Sequence, residues 1–281
     1  MTPAAETPSG LAFKAREIEE LVDVYFFRRL GIVFALLARF LRLTPTTVTF
    51  GAMFAGAIGG AMLAWPAWAP LGVVLLILHG VLDSSDGQLA RMTGQTSEFG
   101  RVMDGVAGYV THVAMYLGIL VTAWSRGGWW LLLAAVLAGA STITHAQMYD
   151  YHRTTYASFV LKGMAPPAAV GTPHGGLLGL YEGMQRALAG LHPAVERRMA
   201  ERAVSGVVRD EDRALYRRCF YRPVRGWNAM GDNLRRLSIA LAVWAGRPEW
   251  FIYAELVPVN ALCLTLWFIQ RRADRACLAA L

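Results

Sequence analysis

An all-α membrane protein is the fold class this sequence predicts, and three observations predict it. Of 281 residues, 55% are hydrophobic and only 17% charged, and the apolar residues gather in long runs. A run of about 20 apolar residues crosses a bilayer as a helix, and several such runs occur. Arg and Lys collect in alternate connections, whereas the opposite connections carry Trp and Tyr, as in a multi-pass protein. Six transmembrane helices with an N-terminal amphipathic interfacial helix and both termini cytoplasmic satisfy these counts.

The elements follow in order. From about Leu11 to Leu43, apolar residues recur at helical spacing but are interrupted by Arg28, Arg29, Arg39 and Arg42. That pattern suits a helix lying on the inner leaflet rather than a span. Thr44 and Pro45 supply a cap and a first turn for span one, which runs to about Trp65. Gly56 and Gly60 within it form a close-packing face that would also suit a homodimer. Span two covers about Pro70–Arg91, span three Phe99–Trp124 and span four Trp129–Met148. The fifth covers Met230–Ala245, with Asp232, Arg235 and Arg236 crowding its start, and the sixth Trp250–Ile269. Trp65, Trp68, Trp129, Trp130, Trp250 and Tyr253 mark the far interface.

The implied organisation is 1–43, tail and interfacial helix; 44–148, spans one to four; 149–228, a cytoplasmic loop; 229–270, spans five and six; and 271–281, a basic tail. In the loop, Gly163–Gly176 reads as a linker, and Leu177–Arg225 carries apolar residues at helical spacing among many Arg, which suggests membrane-surface helices. His174 and His192 stand at no ligand spacing and read as solvated. Met1–Gly10 lacks the basic start and apolar core of a signal peptide. Cys219, Cys263 and Cys277 form no even framework and read as free thiols.

The net charge of +7 is Arg-rich and lies outside the apolar runs. An anionic lipid bilayer is therefore the expected partner surface. No nucleic acid is expected, because no finger, RRM or helix-turn-helix spacing occurs.

The chemistry concentrates in Leu82–Gly108. Asp83, Asp86 and Asp104 lie in or beside apolar runs, where an acid marks a functional site by default. Asp83 and Asp86 are three apart, so a helix puts them on one face, able to hold one cation. Gly87 lets backbone approach a ligand. Arg91, a turn further, presents a fork suited to phosphate. Oxygen-only ligands favour Mg²⁺ or Mn²⁺ over zinc. Together these residues point to metal-assisted handling of a diphosphate at a membrane face.

The stretch Asp83-x-x-Asp86-Gly87-x-x-Ala90-Arg91, eight residues, Gly100-x-x-x-Asp104 resembles the signature of the CDP-alcohol phosphotransferases. Seven of eight fixed positions match; the family's last Asp falls on Gly108. The resemblance implies Asp83, Asp86 and Asp104 as metal ligands, with Gly87, Ala90, Arg91 and Gly100 lining the donor site. It also implies Pro45, Thr46 and Thr49 as contacts to the CDP side. The implied reaction moves a phospho-alcohol group from a CDP-linked donor, CDP-diacylglycerol or another CDP-alcohol, to an alcohol acceptor, with release of CMP. That would make the chain a phospholipid-synthesis enzyme of a bacterial inner membrane, its site facing the cytoplasm.

Gly108 removes the family's usual base, and several substitutes stay open. His112 lies one turn beyond Gly108 on the same helix face, in the pKa range for proton transfer. Asp150 or His152, at the end of span four, could supply the base instead, with Arg153 beside them to hold an anionic group. A third reading gives one well-held metal and altered catalysis. In a fourth, the chain is an impaired lipid- or nucleotide-binding homologue. A carrier or channel is disfavoured, because acids clustered at one face make no path across.

Overall fold

The computed structural model describes residues 16–166 and 183–281, without the side chains of Glu98 and Arg101. The expectations for Met1–Gly10, for the linker beyond residue 166 and for His174 lie outside these residues. All regular elements among the described residues are helical. The chain divides into two compact units, residues 1–138 with 232–254, and residues 139–231 with 255–281.

The first unit begins with α1 (Arg28–Phe40), whose small residues Gly31, Ala35 and Ala38 are buried. They let α1 pack closely on the later helices, with Ala35 and Ala38 in one cluster with Val48 and Leu89. Its other side leaves Val33, Leu36, Leu37 and Phe40 exposed. Helix α2 (Pro45–Met62) starts where Thr44 accepts from the Thr47 amide and Pro45 occupies the first turn. Those two residues supply an acceptor for an otherwise orphaned amide and a preset φ.

Glycines set how α2 packs on its neighbours, α3 (Ala69–Thr93) and the long α4 (Glu98–Tyr156). A Cβ on Gly56 would stand 2.0 Å from Thr111 Oγ1, and one on Gly60 would stand 2.5 Å from the Met115 amide nitrogen. On the opposite flank, a Cβ on Gly59 would meet the Gly72 carbonyl at 2.8 Å. Gly56 and Gly60, expected to suit contact with a second copy, thus serve helix packing inside the chain.

Helix α4 is broken at Gly128, whose φ of 49° and ψ of −133° are non-helical. The break falls in the predicted connection between spans three and four. Beside it, Arg126 grips Glu249 through two hydrogen bonds of 2.8 Å, and Arg247 adds a third at 2.7 Å. The connections 125–128 and 247–249, far apart in sequence, are thereby tied together. Two further helices, labelled α7 (Asp232–Trp244) and the short α8 (Trp250–Ala254) by their place in the chain, complete this unit.

Among the described residues, three helical stretches are long and apolar enough to cross a membrane: Ala69–Thr93, Val102–Lys162 and Trp250–Ala280. The second contains both predicted spans three and four. Of the remaining predicted spans, α2 has 18 glycine-rich residues and α7 only 13, against the ~20 that a bilayer core requires.

In the second unit, α5 (His192–Arg202) and α6 (Asp210–Trp227) pack with α9 (Asn260–Ala280). Val195, Met199, Tyr216, Phe220, Val224 and Trp227 are all buried. The apolar stripes that suggested membrane-surface helices are thus covered within this unit, since such a stripe reads alike whether lipid or another helix covers it. His192 is likewise not solvated. It is 1% exposed, with Nδ1 2.8 Å from Asp274 Oδ1 and Nε2 2.8 Å from the Tyr216 hydroxyl. Burial, and then nearby Glu196, pushes the Tyr216 phenol well above its usual range. It therefore remains a donor to the imidazole. The expected tail 271–281 is helical too, with Asp274 and Cys277 buried.

Candidate functional site

The site is built first on α3. Helical spacing places His79, Asp83 and Asp86 on one face, four and then three residues apart. Asp86 is buried and Asp83 half-buried. Thr49 Oγ1 lies 2.6 Å from Asp86 Oδ2 and 3.1 Å from the Pro45 carbonyl. Its single proton goes to the carboxylate, the shorter and charge-assisted bond. The Thr-Pro stretch of α2 is thus joined to the acid pair of α3. Pro45 and Thr46 stand half-buried in the same turn.

Among the described residues, the neighbour an added Cβ on Gly87 would meet is Arg91 Nη1, at 3.5 Å. The guanidinium therefore lies over the one residue without a side chain, one turn from the acids. Ala90, equally small, is half-buried beside it. Gly94, with φ of 68°, then ends the helix in the left-handed conformation that glycine adopts without strain.

On α4, Ser97 Oγ accepts from the Gly100 amide at 2.9 Å and anchors the first turn. Asp104 follows on the exposed side. Among the described residues, no three His, Cys, Asp or Glu side chains converge as a protein-only metal cage would require. The donors present do fit a lighter arrangement. Mg²⁺ is usually held by one or two carboxylates, with waters and substrate phosphates completing its shell. Asp83 and Asp86 supply such a pair.

Around Gly108 there is room, since among the described residues an added Cβ meets nothing within 4 Å. His112 turns its Nδ1 back to the Gly108 carbonyl at 2.9 Å, and its Nε2 stands 3.8 Å from Asp232 on α7. An Nδ1–H donated to that carbonyl leaves the Nε2 lone pair directed away from α4. The ring borders a cavity shared with Leu76, His79, Thr111, Asp232, Arg235 and Arg236. His79 is anchored alike, its Nδ1 3.0 Å from the Ala52 carbonyl.

The residues at the end of predicted span four lie in the second unit. Asp150 is exposed, and Arg153 interacts with the Tyr149 hydroxyl and ring. His152 is 1% exposed and stacks on Trp227 at 4.9 Å, with His192 edge-on at 5.0 Å. Neither of its ring nitrogens has a hydrogen-bond partner among the described residues.

Sequence reasoning missed His79, Thr111, Asp232, Arg235 and Arg236 as companions of the acid face. His79 was findable, four residues before Asp83 on the same helical face. The α7 residues were not, since nothing local ties them to α3. Also missed was a buried set in the second unit, His145 with Glu255 at 3.5 Å and Asn260 at 3.1 Å.

The apolar helices of membrane-crossing length among the described residues mark the class as a helical membrane protein. Residues 42–171 match the family model for CDP-alcohol phosphatidyltransferase, so this segment is similar to that family. Its members transfer a phospho-alcohol group from a CDP-alcohol and are generally dependent on a divalent metal. No curated protein and no solved structure matches the chain.

Proposed function

We propose that the protein transfers the phosphatidyl group of CDP-diacylglycerol to an alcohol, releasing CMP, with Mg²⁺ or Mn²⁺ on Asp83 and Asp86. The observation that carries the reading is the bond from Thr49 to Asp86. It brings the two motifs assigned to one donor, the Thr-Pro stretch and the acid signature, into direct contact. The metal would offset diphosphate charge and stabilise the departing CMP oxygen. Arg91, lying over Gly87, holds a phosphate oxygen.

His112 is the base in this reading. Its Nδ1 is anchored, its Nε2 borders a cavity, and it shares a helix face with Gly108. His152, enclosed by rings, gives a hydroxyl no comparable approach. Asp104, exposed on α4, would supply a further oxygen ligand in this reading. The bond between Arg126 and Glu249 supports a six-span arrangement with those connections on the far side and the signature at the cytoplasmic face. A homodimer, if formed, uses surfaces other than Gly56 and Gly60.

The test is purified protein with CDP-diacylglycerol and a panel of alcohols, reading CMP release and product mass. Metal-dependent CMP release, lost in Asp86→Asn, is the expected result. A second reading rests on Gly108, which lacks the family's last acid: a homologue that binds the CDP-lipid without turnover. Tight binding with no CMP release under any acceptor supports that one.

A further inference from the structure

Cys219 on α6 and Cys277 on α9 lie in the second unit, outside the transfer chemistry. The contacts around them fix how the two helices run. Arg202, the last residue of α5, donates to Asp212 at 3.0 Å and to the Leu281 carbonyl at 2.8 Å. It thereby sets the first turn of α6 beside the end of α9. His192 joins Tyr216 to Asp274 through two contacts of 2.8 Å. At the far end of α6, Trp227 Nε1 donates to Gln270 at 3.2 Å. Residues later on α6 meet residues earlier on α9, so the two helices pack antiparallel.

Both cysteines lie within one turn of the Tyr216–His192–Asp274 crossing. Their thiols are hydrogen-bond partners across the seam. Cys277 is 0% exposed, whereas Cys219 is half-buried. Thiols in hydrogen-bond contact have converging Cβ vectors, which is what a bridge requires.

We propose that Cys219 and Cys277 form a modification site, which a hydroperoxide converts to a disulfide that staples α6 to α9. Cys219 meets the oxidant first, and the covered Cys277 resolves. The Cys219 thiolate attacks one peroxide oxygen and the O–O bond breaks. Cys219 becomes a sulfenic acid, and the departing hydroxide takes the thiol proton and leaves as water. The Cys277 sulfur then attacks the Cys219 sulfur and the S–O bond breaks. That hydroxide leaves with the Cys277 proton as a second water. Two thiols lose two electrons, which reduce one peroxide to two waters.

This chemistry does not rest on the transferase reading. In a reducing compartment the pair stays a dithiol and closes only under oxidant; a thiol reductant reopens it. Closing a loop of about 60 residues restricts the unfolded chain, so the bridged unit is the more stable form. Cys263 takes no part, because it lies about four turns, or ~20 Å, earlier on α9.

The experiment uses the whole protein in nanodiscs, reduced with a phosphine that is then removed, and exposed to hydrogen peroxide. A maleimide added after denaturation should label three thiols before peroxide and one after it. The intact mass should fall by two hydrogens, and a digest should yield the Cys219 and Cys277 peptides joined. Dithiothreitol should restore all three labels. Cys263→Ser should cross-link as wild type does; Cys219→Ser and Cys277→Ala should not. In Cys277→Ala, dimedone should trap the sulfenic acid at Cys219. The thermal midpoint of the oxidised protein should exceed that of the reduced one by about 5 °C or more, and the gap should vanish in Cys219→Ser.

Three labels after peroxide, a bridge through Cys263, a bridge between two copies, or oxygen added to Cys219 in place of a bridge each overturn the proposal. So does an oxidised protein no more stable than the reduced one. Cys277→Ala empties a buried position, so its midpoint is taken first. If it is unfolded, Cys219→Ser, at a half-buried position, carries the comparison. CMP release is not among the readouts, so failure of the transferase reading leaves the outcome here unchanged.

Discussion

Thr49 donates its hydroxyl to Asp86 across 2.6 Å, a bond between residues 37 positions apart. It gives a buried carboxylate a neutral side-chain donor at Oδ2. Thr49→Val keeps the shape and removes the donor. A hydrogen bond to a charged group contributes about 1.5–3 kcal/mol, so CMP release should fall at least tenfold. Thr49→Ser should retain most of it. Equal rates in Thr49→Val and wild type would show that the bond has no part in the chemistry.

The room at Gly108 makes a gain-of-function test practical. An added Cβ there meets nothing within 4 Å, so Gly108→Asp should fold with an unchanged thermal midpoint. Replacing glycine inside a helix also helps the fold by about 0.5–1 kcal/mol relative to the parent, less the smaller propensity of Asp. The variant completes the family pattern and should raise CMP release, most of all when combined with His112→Ala. If His112→Ala alone leaves the rate intact, another group is the base.

Helix packing through glycine has a direct test. In Gly60→Val the new side chain starts 2.5 Å from the Met115 amide nitrogen, and backbone cannot swing aside. Overpacking costs ~1–3 kcal/mol, and a clash with main chain belongs at the upper end. Thermal unfolding in detergent should show a clear drop. Gly51→Ala, where nothing lies within 4 Å, is the control.

Stability should depend on acid through Glu249. Burial disfavours its carboxylate, but hydrogen bonds from Arg126 and Arg247 outweigh that and hold its pKa below the ordinary value. A lowered pKa stabilises the fold fully above the unfolded value, and the gain is lost as pH falls through the folded one. Wild type should exceed Glu249→Gln by about 2 kcal/mol at neutral pH. The gap should shrink only below about pH 4.3, the ordinary glutamate value. A gap constant down to pH 3 would show that packing, not charge, is responsible.

What the sequence revealed was local. The acid signature, Gly87, Arg91 and the capped start of α2 are short-range patterns, each legible from spacing alone. The break at Gly128 was also legible, because an apolar run was interrupted by Ser125-Arg126-Gly127-Gly128. What was hidden depends on partners far along the chain. His192 among loop residues gives no hint of Asp274, 82 positions later. The apolar stripes of α5 and α6 could equally face lipid, and only the position of α9 decides. Asp232, Arg235 and Arg236 looked like a poor start to a membrane span; in the folded chain they wall a cavity one turn from Asp83.

The glycine seams on either flank of α2 have one more consequence. Backbone pressed against backbone leaves no slack for sliding, so the heights of Thr49, Asp86, Thr111 and His79 relative to one another are set by main chain, not by adjustable side chains. Such a three-helix frame stays unmoved when the side chains that project from it are exchanged.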